Sequence, residues 1–371
     1  MNASLPLLNI GTVHEPTGYA KANRHVILEL AKKGMAIRFT PHHPETVRIS
    51  LPSHEEQLLH RLTHTPLPPH YPVLFHYPAH YFYRSIHQYT IGMTMYECNR
   101  LPLTWVKRCS MMNEIWVPSH FNKQTFANSG IPIHKLHVMP YGVDVQMFQP
   151  RETSLPISNR RSYAFLAVCS FDERKGIETL ITAFCSEFKE TEDVCLLLKT
   201  RATTNQEILQ QQAYIDRIAI QINGKTRPSI LLLSTTGSWS EEQLALLYNS
   251  ADCYVLPTRG EGWSLTVMEA MASGLPVITT NWSAHLDFIH TDNGYLINVE
   301  KFAAPNPQYP RLYWAVPDLL HLRQLMRHVY HHPDEAKERG ALGKQSINEH
   351  YTWAQSAANM FNRLQQLATL G

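Results

Sequence analysis

The chain has 371 residues, of which 44% are hydrophobic and 17% charged, with a formal charge of +2 at pH 7. That composition supports sizeable cores in about two domains and excludes a disordered chain. The small charge, with no long Lys/Arg run, excludes the electrostatic footprint of a nucleic-acid binder, and with neither a leader-type start nor an apolar run of spanning length a soluble, cytoplasmic protein is expected.

Leu7 to Val13 reads as a buried strand, a helix follows through Ala31 and stops at Gly34, and Met35 to Thr40 resumes as a strand. This opening implies a parallel sheet. Its loop carries only Gly11 and Gly18, not GxGxxG, so an ordinary dinucleotide-binding dehydrogenase is not expected. Pro41 to Pro72 reads as an excursion outside the sheet, with a short helical pattern over Glu55 to Leu62. Val73 to Tyr77 and Ile91 to Tyr96 are further strands. Between them, His80-Tyr81-Phe82-Tyr83-Arg84 is either a sugar platform or a loop packed on its own domain. Glu97 should stand at a strand's carboxyl end, where open α/β sheets place ligands. Leu136 to Met139 is the last strand before the polar stretch Pro150 to Ser162, which sets two domains, 1–155 and 156–350.

The second domain repeats the alternation. A strand over Tyr163 to Cys169 leads through Asp172-Glu173-Arg174-Lys175-Gly176 to a helix over Ile177 to Phe188 and a strand over Val194 to Leu198. Arg174 and Lys175 follow one strand and Lys199 ends another, so all three should approach one sheet edge as a cationic clamp. Ile230 to Ser234 is a strand followed by Thr235-Thr236-Gly237 and a helix starting near Trp239-Ser240.

A strand at Cys253 to Leu256 then meets Gly260-Glu261-Gly262-Trp263, and Ser264 can cap a helix with Leu265, Met268 and Met271 on one face and Gly274 as its stop. The helix start offers backbone N–H groups to a phosphate, and the glycines allow close approach. Glu261 and Glu269 place two carboxylates beside that turn, and a carboxylate accepts well from a sugar's vicinal hydroxyls. The six cysteines form no CxxC pair and the 21 histidines no HExxH, so reduced core thiols and no metal site are expected.

The stretch Tyr254-Val255-Leu256-Pro257-Thr258-Arg259-Gly260-Glu261-Gly262-Trp263-Ser264-Leu265-Thr266-Val267-Met268-Glu269-Ala270-Met271, with its Glu-x7-Glu spacing, resembles the donor site of group 1, family 4 glycosyltransferases. The resemblance implies a GT-B fold, two Rossmann-like α/β domains with parallel sheets facing a central cleft, closed by a helix at 351–371 that crosses back to the first domain. It implies retaining transfer of a hexosyl group from a nucleotide-diphosphate sugar to an unidentified acceptor; because the chain has no Asp-x-Asp pair and instead offers cations and a helix start to the diphosphate, no cofactor and no metal are expected. Peripheral membrane contact is compatible with it. On this reading Glu261 faces the transferred sugar, Glu269 the ribose, Arg174 and Lys175 the diphosphate, Thr235 the nucleobase region, and the backbone of Gly262, Trp263, Ser264 and Leu265 the sugar and diphosphate. Gly18 and Lys199 complete the donor side, and Glu97 belongs to the catalytic set. Cys169 stands where relatives carry an Arg, which puts weight on Arg174 or Lys199, and His285 and Asp287 replace a glycine-rich turn and Glu. A sugar-nucleotide or polysaccharide binder of the same fold, without turnover, is the alternative.

Overall fold

A computed structural model describes residues 6–45, 47–224, 226–306, 308 and 311–370. They divide into two units, Met1–Gly142 with His350–Gly371, and Val143–Glu349. The first contains β1 (Leu7–Gly11), α1 (Gly18–Lys32), β2 (Ile37–Pro41), α2 (Ser53–Thr63), β3 (Val73–His76), β4 (Thr90–Met93), α3 (Leu103–Ser110), β5 (Glu114–Val117), α4 (His120–Asn128) and β6 (Leu136–Val138). Its six strands form one parallel sheet in the order β2-β1-β3-β4-β5-β6. The second contains β7 (Tyr163–Val168), α5 (Ile177–Glu187), β8 (Val194–Lys199), α6 (Asn205–Asn223), β9 (Ser229–Leu232), α7 (Glu241–Tyr248), β10 (Cys253–Leu256), α8 (Leu265–Ala272), β11 (Val277–Thr280), β12 (Tyr295–Ile297), β13 (Val299–Ala303), β14 (Trp314–Pro317), α9 (Leu319–His331) and α10 (Pro333–His350). Here the parallel order is β12-β11-β10-β7-β8-β9, with β13 and β14 a separate antiparallel pair.

Burial explains why these segments are strands. β3, β5, β8, β10 and β11 are buried along their whole length and mostly apolar, with polar residues only at their ends, as in a sheet covered on both faces, whereas the edge strand β2 alternates in part with solvent. Phe165, Leu180, Phe184, Leu196, Leu198, Val255 and Ile278 fill the second core. In the first unit the core includes a polar network. Asn9 and Asn23 bond reciprocally at 2.8 and 3.1 Å, His76 Nδ1 lies 3.0 Å from Asn23 Oδ1, and His76 Nε2 lies 2.7 Å from the Tyr141 hydroxyl. Burial depresses the His76 pKa to about 3, so its ring is neutral and links β1, α1, β3 and the turn after β6 without burying a charge.

The strands stand close to their expected places, and two expectations are corrected. The boundary falls at 142/143 rather than 155/156, because the Pro150 to Ser162 stretch is fastened to the second unit: Arg151 N donates to Asn249 Oδ1 at 2.7 Å, Leu155 N to Leu246 O at 3.1 Å, and Arg160 pairs with Asp252 at 2.8 Å. The excursion before Pro72 takes in β2's last residue, Pro41, which was expected outside the sheet, while the helical pattern over Glu55 to Leu62 is the 11-residue α2. Among the described residues no helix is long and apolar enough to cross a membrane.

The last helix, α11 (Trp353–Leu370), belongs to the first unit. Its Trp353 stacks on His25 with ring centroids 4.9 Å apart, and its Arg363 pairs with Glu114, a buried carboxylate that also accepts from Trp116 Nε1 at 2.9 Å. Gly142 is the point of closest approach: a Cβ there would lie 2.3 Å from the Thr352 carbonyl carbon and the Trp353 nitrogen. Gly142→Ala is therefore expected to destabilise the protein by about 1–3 kcal/mol, the range for overpacking. A chemical-denaturation midpoint equal to the parent's would refute this account of how the helix is seated.

Candidate functional site

In the second sheet the chain runs from β7 to β8 and β9 on one side, then returns to place β10 on the other side of β7. Such a reversal leaves a crevice at the carboxyl ends of the two central strands, here β7 and β10. The loops flanking it carry Arg174, Lys175 and Glu261. Lys175 Nζ lies 2.7 Å from Glu261 Oε1 and Arg174 Nη1 3.4 Å from the same oxygen, while the Thr258 hydroxyl donates to it at 2.8 Å. All three contacts fall on Oε1, and among the described residues Oε2 takes none. Glu261 is 4% exposed. Burial alone would raise its pKa, but the charges of Lys175 and Arg174 and the bonds from Lys175 and Thr258 hold it at about 2, so the group is a carboxylate at any working pH.

The backbone is built around that pair. Arg174 Nη1 donates to Gly260 O at 2.8 Å, Arg259 N donates to Arg174 O at 2.7 Å, and Glu261 N donates to the Ser283 hydroxyl at 3.0 Å, so the loops after β7, β10 and β11 are tied together. Asp172 caps the turn by accepting from Lys175 N at 3.1 Å. Gly176 then has φ +70°, and a Cβ there would lie 2.0 Å from Pro257 O, so only glycine fits.

Ser264 does not cap α8, contrary to expectation. Its φ of 85° is in the left-handed region, the side chain makes no capping bond, and among the described residues its buried hydroxyl has no partner. The strained serine thus leaves its own hydroxyl and the first amides of α8 without a side-chain cap between them. Leu265 opens the helix, and Glu269, buried in its second turn, accepts from the Tyr248 hydroxyl at 2.9 Å. The Trp263 side chain turns into the core, its Nε1 2.8 Å from Met268 Sδ and its ring 5.2 Å from Phe288, so at Gly262-Trp263 only backbone is offered to a ligand.

Lys199 does not join this cluster. Its ammonium donates to Thr200 O at 2.7 Å and lies 4.7 Å from the Trp239 ring, and burial together with Arg201 lowers its pKa to about 8. Trp239 Nε1 in turn donates to the Thr235 hydroxyl at 3.1 Å, so Lys199 and Thr235 form a second group beyond β8. In the first unit, Gly18 begins α1 behind the Thr17 cap, and Glu97 is half-buried after β4, its charge helping to raise the Tyr19 and Tyr96 pKa values after the larger effect of burial. Thr258 and Ser283, the anchors of Glu261, were not assigned from sequence; an alcohol in a loop carries no pattern that marks it. Among the described residues no three His, Cys, Asp or Glu side chains converge as a metal site.

Residues 162–305 match the family model described as glycosyl transferases group 1. The chain is 27% identical over 228 residues to the MMP alpha-(1->4)-mannosyltransferase of Mycolicibacterium hassiacum, covering 60% of this chain and 46% of that protein. It is 24% identical over 290 residues to the GDP-mannose-dependent alpha-(1-6)-phosphatidylinositol monomannoside mannosyltransferase of Mycobacterium tuberculosis, covering 74% and 67%. The match to the M. hassiacum protein thus spans about half of that relative's length. Among solved structures, sucrose-phosphate synthase from Thermosynechococcus elongatus superposes with a TM-score of 0.69 at 16% identity over 99% of this chain and 100% of that one. Anabaena HepE in complex with UDP-glucose superposes at 0.68 and 10% identity, over 99% and 100%. These likenesses show the GT-B fold.

The buried pair has a pH signature. Glu261 ionises at about 2 in the folded chain against an ordinary 4.5, so its contribution is in full force above pH 4.5 and is lost as pH falls towards 2. Lys175→Met should lower stability by on the order of 3 kcal/mol at neutral pH, since it strips a buried carboxylate of its nearest cation. The deficit against wild type, followed by thermal melts from pH 7 downwards, should narrow below about pH 4.5; a constant gap would contradict the pairing.

Proposed function

We propose that this chain, whose residues 162–305 match the model of glycosyl transferases group 1 and whose fold is GT-B, is a retaining transferase. It moves a sugar from a nucleotide-diphosphate donor to an acceptor hydroxyl without a divalent metal. The observation that carries the reading is Glu261, a buried carboxylate with Oε1 spent on Lys175, Arg174 and Thr258 and Oε2 left to accept from a ligand's hydroxyls. The HepE complexes with UDP and UDP-glucose support the donor class.

On this reading the C1–oxygen bond to the diphosphate breaks as a bond to the acceptor oxygen forms on the same face. The acceptor's proton passes to the departing diphosphate oxygen, so the anomeric configuration is kept and no enzymic nucleophile is needed. The protein supplies electrostatics. Arg174 and Lys175 carry two positive charges against the single negative charge of Glu261, and the start of α8 adds amides and the Ser264 hydroxyl, together offsetting the charge that grows on the leaving group. Lys199 and Thr235 hold the outer part of the nucleotide and Glu269 its ribose. On the first unit, Gly18 approaches the diphosphate and Glu97 serves the acceptor.

The roles separate experimentally. Glu269→Ala should weaken nucleoside diphosphate binding by roughly 1–3 kcal/mol, the cost of a lost charge-assisted bond, while Glu261→Gln should spare that affinity and lower turnover. Calorimetry with UDP, GDP and ADP, beside diphosphate release from the corresponding sugars, reads both; equal losses of affinity in the two variants would sink the division.

Metal independence follows from the cations. Initial rates should be unchanged by excess EDTA, whereas Arg174→Ala should lower them by about 10²- to 10³-fold, the scale for one preorganised electrostatic donor. Activity abolished by EDTA and restored by Mg²⁺ or Mn²⁺ would overturn this part of the proposal.

A further inference from the structure

The first sheet has a reversal of its own. β2 lies on one side of β1 and β3 on the other, so a ligand crevice is expected at the carboxyl ends of β1 and β3. What stands there is a wall of rings. Tyr19 follows β1, His42 follows β2, Tyr77 and Tyr81 follow β3, and His80 joins them to Trp105 at the start of α3. Ring centroids are 6.1 Å apart for Tyr19 and Tyr77, 5.0 Å for His42 and Tyr77, 4.7 Å for His42 and Tyr81, 5.2 Å for Tyr77 and Tyr81, and 5.8 Å for His80 and Trp105. Tyr77 is fixed in place by His43, whose Nε2 lies 2.8 Å from its hydroxyl. The wall is not core: Tyr81 is 44% exposed and His80 is exposed.

We propose that this wall binds a neutral pyranose, and that this sugar is the acceptor; the second part rests on the transferase reading. A pyranose has a flat C–H face that lies on an aromatic ring and a rim of hydroxyls that need donors and acceptors at the ring edges, which Tyr and His provide. Charge decides against an anionic sugar. Burial, then the neighbouring histidines, hold the His42 pKa below its usual value, and burial does the same for His80, so both rings are neutral. The Glu15 carboxylate stands 3.3 Å from His43 Nε2, and after burial Glu15, Tyr81 and Glu45 add to the rise of the Tyr77 pKa to about 12, so the carboxylates beside the wall contribute a negative field. A phosphate or carboxylate would meet that field unfavourably, whereas a neutral sugar would not.

The test uses the full chain without any donor, so it is independent of turnover: a failed transfer assay and a failed wall give different results. Saturation-transfer NMR titrations would be run with methyl α-D-glucopyranoside, methyl α-D-mannopyranoside and methyl β-D-galactopyranoside, with glucose 6-phosphate as the anionic probe. At least one neutral glycoside should saturate and bind more tightly than glucose 6-phosphate. Its affinity should fall about five- to tenfold in Tyr81→Ala and in His42→Ala, with folding verified by circular dichroism, and should survive in Tyr81→Phe, which keeps the ring. Absence of saturable binding by all three glycosides, unaltered affinity in Tyr81→Ala, or preference for the phosphorylated sugar would each overturn the proposal.

Discussion

A carboxylate taken out of water beside two cations is the constraint around which the second unit's loops are arranged. Glu261 could not remain ionised at 4% exposure on its own, and Lys175 and Arg174 make it tenable. Those cations reach it only because the turn after β7 is held at its start by Asp172 and bent at Gly176, and because the loops after β10 and β11 are bonded back to it through Arg174, Arg259 and Ser283. The ion pair and the backbone around it are one device.

Buried polarity takes two forms in this chain. The network between β1 and β3 is neutral: His76 is kept uncharged and the asparagines pair with each other, an arrangement that fixes geometry without storing charge. Near β7 and β10 the buried groups are charged, and one oxygen of the carboxylate is left unspent. Lys199 makes the same distinction inside the second unit, for it is sheltered against Trp239 and has a lowered pKa, while Lys175 is committed to Glu261. Charge is concentrated where a charged leaving group is proposed to form.

Much of the fold was legible because strand and helix alternate with different periods, and a buried parallel strand such as β8 is apolar from Val194 to Leu198 before its terminal Lys199. Glu261 stood out in the sequence by its flanking glycines, whereas the positive φ of Gly176 appears only in the structure. Ser264 misled because a serine before an apolar run is the usual sign of a side-chain cap, and nothing local announces a left-handed φ at that position. Lys199 misled for a different reason. A strand's end fixes where a residue's backbone stands but not which neighbour its long side chain adopts, and an indole from the loop after β9 captured it. The domain boundary was misplaced because a polar, proline-containing segment reads as a linker even when, as at Arg151 and Leu155, its backbone is bonded to the following unit.

The return of α11 to the first unit has a consequence for the order of assembly. The second unit is one uninterrupted stretch of chain, Val143–Glu349, whereas the first is made of two stretches separated by all of it. On a ribosome the earlier-synthesised unit therefore finishes last. Until residue 363 has emerged, the Glu114 carboxylate lacks its guanidinium, and until Thr352 and Trp353 arrive Gly142 lacks its nearest backbone neighbours. The later unit has all its strands beforehand, so translation hands the nascent chain a completed second unit while the first still waits for its last helix.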